Sequence, residues 1–152
     1  RRKLDEILSN KIQNFKKNGE QFSIIILDID SFKEINDNYG HNIGDKVLID
    51  IGNILKQKTE KNCVVGRWGG EEFLIICKDM NCKHSTELIK KLKRDINNFN
   101  FGIDKKVTAS FGVSNINKDD DIDSLIHKAD LYLYKAKETG KNKVLSNCVE
   151  LV

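Results

Sequence analysis

Two short stretches of this sequence carry the residue types of phosphoryl chemistry. Asp28-Ile29-Asp30 follows the apolar run from Phe22 to Leu27. Asp28 is therefore expected to emerge from a buried strand at the sheet edge, and Asp30 to open a helix as its cap. The backbone N–H groups of Ser31, Phe32 and Lys33 would then lie at a helix N-terminus, where unpaired donors and the helix dipole favour an anion. A carboxylate beside such a helix start suits a nucleoside triphosphate and its cation. On their own, two aspartates before a helix are more often caps.

The second stretch is Arg67-Trp68-Gly69-Gly70-Glu71-Glu72-Phe73. A Gly-Gly pair between β-rich runs signals a hairpin, with both glycines free to take positive φ. Exposed loop charge would account for Glu71 and Glu72. A hairpin tip between apolar strands would instead hold Glu71 rigidly, and a strand next to the one ending in Asp28 would make the carboxylates converge. Hard oxygen ligands completed by water and phosphate favour magnesium, with manganese as the alternative. Such a pair can support in-line displacement at phosphorus.

The elements that must position these residues are readable from periodicity. Leu4, Ile7, Leu8, Ile12 and Phe15 share one helical face, predicting a helix over 3–17. A strand over Phe22 to Asp28 precedes a short helix carrying Phe32, Ile35 and Tyr39 and closed by Gly40. A second helix presents Val47, Leu48, Ile51, Ile54 and Leu55. Strands are expected from Cys63 to Trp68, Glu72 to Cys77 and Val107 to Val113, with a short one near Lys143 to Leu145. Helices fit the spacing of Leu88, Ile89, Leu92, Ile96 and Phe99, and of Ile122, Leu125, Ile126, Ala129, Leu133 and Ala136. Asp119-Asp120-Asp121 is expected to be a solvated loop. A hairpin combined with helical crossovers implies an α+β fold, a ferredoxin-like mixed sheet packed with helices.

Composition narrows the function classes. The 152 residues suit one domain, 1–152, with a real core. Net charge is +3, from 26 basic and 23 acidic side chains. That balance argues against a dedicated nucleic-acid surface, so an anionic ligand must be held locally. The four cysteines show neither C-x-x-C pairing nor histidines at finger spacing, which predicts thiols and a reducing compartment. No apolar run is long enough to span a bilayer, so no membrane contact is expected of this domain and a cytoplasmic location is. Because the first residue is arginine, the chain is expected to be a fragment of a longer protein.

Gly69-Gly70-Glu71-Glu72-Phe73 resembles the signature of the GGDEF diguanylate cyclase family in its GGEEF form. Leu27 to Asp37 is similar to the family's D-x-D-x-F-K-x-x-N-D segment, and Tyr39 to Asp45 to its G-H-x-x-G-D segment. Thr108 to Val113 is similar to its late strand. Ala129-Asp130 through Ala136-Lys137, then Gly140-Lys141-Asn142, resembles its closing segment. The likeness covers nearly the whole chain and implies a fold of the nucleotide-cyclase and polymerase-palm type.

The resemblance implies that two GTP molecules are joined into cyclic di-GMP. Magnesium would be held by Asp28, the Ile29 carbonyl and Glu71, and Glu72 is the usual candidate base for the attacking hydroxyl. A metal alone can also lower that hydroxyl's pKa, so this role stays open. Asn36 and Asp45 would read guanine, with His41 either lining the pocket or serving the helix connection. Lys33, Lys137 and Lys141 would contact phosphate. The family usually has arginine where Lys141 stands, and lysine gives up the bidentate fork. The family's inhibitory R-x-x-D motif is replaced by Glu60-Lys61-Asn62-Cys63, which predicts no tight product-inhibition site. Implied partners are GTP, a second copy of the domain, and an upstream sensory or dimerising segment with any membrane attachment. Three rivals are a nucleotide receptor without activity, a cyclase that also takes ATP, and a different nucleotidyltransferase palm. Intact carboxylates, Asp45 and the flanking segments, respectively, argue against them.

Overall fold

The computed structural model describes residues 1–59, 61–146 and 150–151; Glu60 lies outside them. The elements run α1 (Arg2–Asn18), β1 (Phe22–Ile29), α2 (Phe32–Tyr39), α3 (His41–Lys58), β2 (Cys63–Arg67), β3 (Glu72–Lys78), α4 (Cys82–Asn98), β4 (Ala109–Asn115), α5 (Ile122–Glu138), β5 (Val144–Leu145) and β6 (Glu150–Leu151). They form one sheet in the order β2-β3-β1-β4-β5-β6. The first four strands are antiparallel neighbours, and β5 joins β4 in parallel. The order β4-β1-β3-β2 is that of a ferredoxin-like sheet, as the element sequence predicted.

Strand β1 is central, which explains its unbroken apolar run. Ile25, Leu27 and Ile29 enter one core with residues of α2, α3 and α4. Ile24 and Ile26 face the opposite core with Leu4, Leu8 and Ile12 of α1 and Leu125, Ala129 and Leu133 of α5. Alternate residues point to opposite faces, so a strand covered on both sides must be apolar throughout. Helix α5 crosses β4 with almost no clearance: a Cβ at Gly112 would lie 2.1 Å from the Ala129 carbonyl oxygen.

Several sequence expectations are corrected. β4 begins at Ala109 rather than Val107. Gly69 and Gly70 do not adopt positive φ. The turn is closed instead by Trp68 and Gly69 N–H groups donating to the Glu72 carbonyl, at 2.8 and 3.3 Å. Cys82 is disulfide-bonded. The acidic run is no plain solvated loop. Asp121 caps α5 in a reciprocal capping box with Ser124, and Asp120 is buried, accepting from Lys128, Ser124 and the Asn117 N–H.

Burial pushes the Asp120 carboxyl up, but those donors outweigh it and hold it below its ordinary value of 3.8. A depressed folded value contributes stability in full above the unfolded value and loses it as pH falls through the folded one. Asp120→Asn is therefore expected to cost about 1–3 kcal/mol at neutral pH. The deficit should shrink progressively as the pH drops below 3.8. Urea unfolding of both proteins across acid pH measures the difference, and a deficit independent of pH would rule out the charge as its source.

Candidate active site

The carboxylates converge because β3 lies beside β1. The Ile29 N–H donates to the Glu71 carbonyl at 3.3 Å, and Asp28 stands directly opposite Glu72 in the register. Since 29 and 71 are the hydrogen-bonded pair, 28 and 72 form a non-hydrogen-bonded pair, in which side chains on one face lie closest. Glu71 sits on the turn just before β3.

The turn is clasped from both sides. Arg67 donates to the Gly69 carbonyl at 3.3 Å and the Gly70 carbonyl at 2.5 Å. Arg1 lies over the Trp68 ring at 3.7 Å and donates to the Trp68 carbonyl at 3.3 Å. A Cβ at Gly69 would come to 3.0 Å from a Glu72 carboxylate oxygen, so a larger residue there would push that carboxylate aside. These arginine clasps are not readable from residue order, because each depends on a carbonyl direction that only the folded turn defines.

Asp30 is the largest departure from expectation. It does not cap α2. Ser31 occupies the N-cap with a left-handed φ of 54° and makes no side-chain cap bond. The buried Asp30 carboxylate accepts from Thr108 Oγ1 and Ser110 Oγ at 2.7 Å each, Lys137 Nζ at 2.8 Å and the Asn142 N–H at 2.9 Å. It thus ties the end of β1 to the approach and start of β4, to α5 and to the turn after it. Lys137 is shared: its ammonium also meets Asp28 Oδ1 at 2.6 Å and the Asp28 carbonyl at 3.3 Å.

The start of α2, with Ser31, Phe32 and Lys33, follows directly. Lys141 reaches it, donating to Ser31 Oγ at 3.0 Å, and Lys33 is exposed there. Asn36 is half-buried on α2 and packs over α3 at Gly44, where a Cβ would fall 1.8 Å from Asn36 Oδ1. His41 and Asp45 are exposed one turn apart on α3, Asp45 being the residue after that glycine. The structure therefore groups Asp28, Ile29, Glu71 and Glu72 at one point. Ser31, Phe32, Lys33 and Lys141 lie beside them, and Asn36, His41 and Asp45 lie along α2 and α3.

The electrostatics are those of crowded acids. Burial raises the Asp28 carboxyl, with Asp30 adding to it against the pull of Lys137. Glu71 is raised by burial and then by Asp28. Glu72 is raised by burial and then by Asp28, Asp130 and Glu71, with Arg1 opposing. Asp30 feels the same burial, yet its donors hold it below the usual range. A cation would relieve the first three. Among the described residues no three carboxylate, imidazole or thiol side chains form a ready cage. A cation here would have to complete its shell with carbonyl, water and phosphate oxygens, the ligands of a hard divalent ion. Among the described residues no helix is long and apolar enough to cross a membrane.

The chain is similar to known proteins both in sequence and in fold. Diguanylate cyclase VdcA of Vibrio cholerae is 36% identical over 133 residues, covering 84% of this chain and 39% of the relative. Diguanylate cyclase A of Treponema denticola is 33% identical over 145 residues, covering 91% and 39%. The chain thus spans about two-fifths of the length of these relatives. The solved structure of the active GGEEF domain of a Vibrio cholerae diguanylate cyclase superposes with a TM-score of 0.91 at 30% identity, covering 96% of this chain and 95% of that one. The family profile described as "Diguanylate cyclase, GGDEF domain" matches residues 1–143, and the chain belongs to that family.

Proposed function

We propose that this domain joins two GTP molecules into cyclic di-GMP, releasing two pyrophosphates. The observation that carries the reading is Asp28 standing opposite Glu72 across β1 and β3, with Glu71 next to them on the turn and coupled to Asp28, beside a helix start that no side chain caps.

Asp28, Glu71 and the Ile29 carbonyl would hold magnesium, or manganese in its place. The bound ion would neutralise phosphate charge and acidify the attacking 3′-hydroxyl. The N–H groups at the start of α2, with Lys33 and Lys141, would bind the triphosphate. Lys137 would set the Asp28 carboxylate and add positive charge. Glu72, its carboxyl raised by burial and by its acidic neighbours, is a better proton acceptor than an ordinary glutamate and would take the 3′-hydroxyl proton. Asn36 and Asp45 would read guanine, because a carboxylate can accept from N1–H and N2–H₂, a donor pair that adenine lacks. His41 would line the base pocket.

One site holds one GTP, so the second must come from a facing copy, each 3′-hydroxyl attacking the other's α-phosphorus. No protein nucleophile is required; positioning and charge supply the rate. An upstream segment of the longer protein would bring the copies together, with the domain working in the cytoplasm. Incubating the domain with magnesium and GTP, and weighing the product nucleotide, tests the reading. Cyclic di-GMP formed with a specific activity that climbs with protein concentration is expected. Absence of product even from a fused dimer would favour a nucleotide receptor.

Guanine reading has a separate test in Gly44→Ala. The new Cβ would displace Asn36, and losing one buried hydrogen-bonding partner typically costs about 1–3 kcal/mol. GTP affinity should fall roughly ten- to a hundredfold while ATP binding changes little, as read by nucleotide titration. Equal losses for both nucleotides would detach Asn36 from base recognition.

A further inference from the structure

The β2-β3 hairpin holds a second reactive pair at the end remote from its glutamates. Cys63 and Cys77 are direct cross-strand partners, and their sulfurs lie 2.6 Å apart. The ladder fixes the kind of pairing. Lys78 N–H donates to the Asn62 carbonyl at 3.0 Å, which makes 62 and 78 the hydrogen-bonded pair and 63 and 77 a non-hydrogen-bonded one. Cα atoms in such a pair are about 4.5 Å apart. That lies within the roughly 4.4–6.8 Å that a disulfide can bridge, at its short end.

Access is asymmetric. Cys77 is buried in the core between the sheet and its helices, whereas Cys63 is half-buried on β2, the edge strand of the sheet. A small oxidant therefore meets Cys63 first, with the second sulfur already in place behind it.

We infer that Cys63 and Cys77 form a reversible cross-strand disulfide, a thiol-disulfide site in the hairpin that carries Glu71 and Glu72. The reaction needs a low-molecular-weight disulfide as oxidant. The Cys63 thiolate attacks one of its sulfurs and expels one thiolate. The Cys77 thiolate then attacks the Cys63 sulfur and expels the other. The two cysteines lose two protons and two electrons, and one disulfide is reduced to two thiols. Because the Cys63 sulfur is only half-buried, a small thiol can attack the bridge as well as form it, so the exchange runs both ways. The inference is independent of the proposed function.

The sequence makes the test direct, because trypsin leaves the four cysteines on four peptides: 62–67, 68–78, 79–83 and 144–152. The folded domain is reduced, equilibrated with oxidised glutathione, alkylated, digested and weighed. The expected product is 62–67 joined to 68–78, lost on treatment with dithiothreitol and absent from Cys63→Ser. Closing this loop should also raise the Tm by about 5 °C, reversibly, and only when both cysteines are present. Recovery of Cys63 solely as alkylated thiol or glutathione adduct overturns the inference. So does a joined peptide that forms only after denaturation.

Discussion

Alanine at Glu71 is expected to lower GTP turnover by about a thousandfold, the loss of roughly 4 kcal/mol of transition-state stabilisation, while the domain melts no earlier than its parent. The two halves of that expectation have one origin. Glu71 is exposed on the turn, and its carboxyl is raised by burial and by Asp28. The folded protein therefore gains nothing from its charge, and removing it takes away a repulsion. Only a cation turns that crowding to advantage. Steady-state kinetics at saturating magnesium, set beside thermal melts, separate the two effects. Near-parental turnover would remove Glu71 from the metal site, and a large fall in Tm would make its role structural.

Lys137 should show the reverse pattern, with stability failing first. Its ammonium is the shared partner of Asp28 and Asp30, at 2.6 and 2.8 Å. Removing one member of a buried charged group leaves the others uncompensated, at a cost of about 3–5 kcal/mol. For a domain of this size, Lys137→Met should lower the Tm by about 10 °C. Asp30→Asn in the same chain should recover part of the loss, since it removes the more deeply buried of the two stranded charges. Calorimetry on the single and double variants checks this. An unchanged Tm for Lys137→Met would show that solvent, not the lysine, balances the aspartates.

Glu71 and Asp30 show how far sequence reading reaches and where it stops. The place of Glu71 on a tight turn was legible because it depends on local facts, a glycine pair and flanking apolar strands, whereas the pairing that sets β3 beside β1 is long-range. The helices and the central strand were legible for the same reason, their apolar periods being set within a few residues. Asp30 was misread as a cap because its donors lie 78 to 112 positions away, and nothing in Asp28-Ile29-Asp30 says which aspartate turns inward. Asp120 was assigned to solvent on its neighbours' charge, although Ser124 and Lys128 stand one and two helical turns further on. The glycines of the turn were placed correctly for the wrong reason. Their backbone is ordinary, and what Gly69 supplies is room for the Glu72 carboxylate.

The central place of β1 bears on how the chain is made. Its partners across the two edges are Glu72–Lys78 and Ala109–Asn115, and neither is yet synthesised when Ile24 to Leu27 leave the ribosome. Translation proceeds at about 5–20 residues per second, so this apolar segment waits several seconds for its second edge. Long-range pairing of this kind is slow to form and exposes sticky intermediates. The nascent domain is therefore most exposed to aggregation in the interval before β4 emerges. A chaperone binding site mapped on arrested chains should centre on β1 and disappear once residue 115 has cleared the exit tunnel.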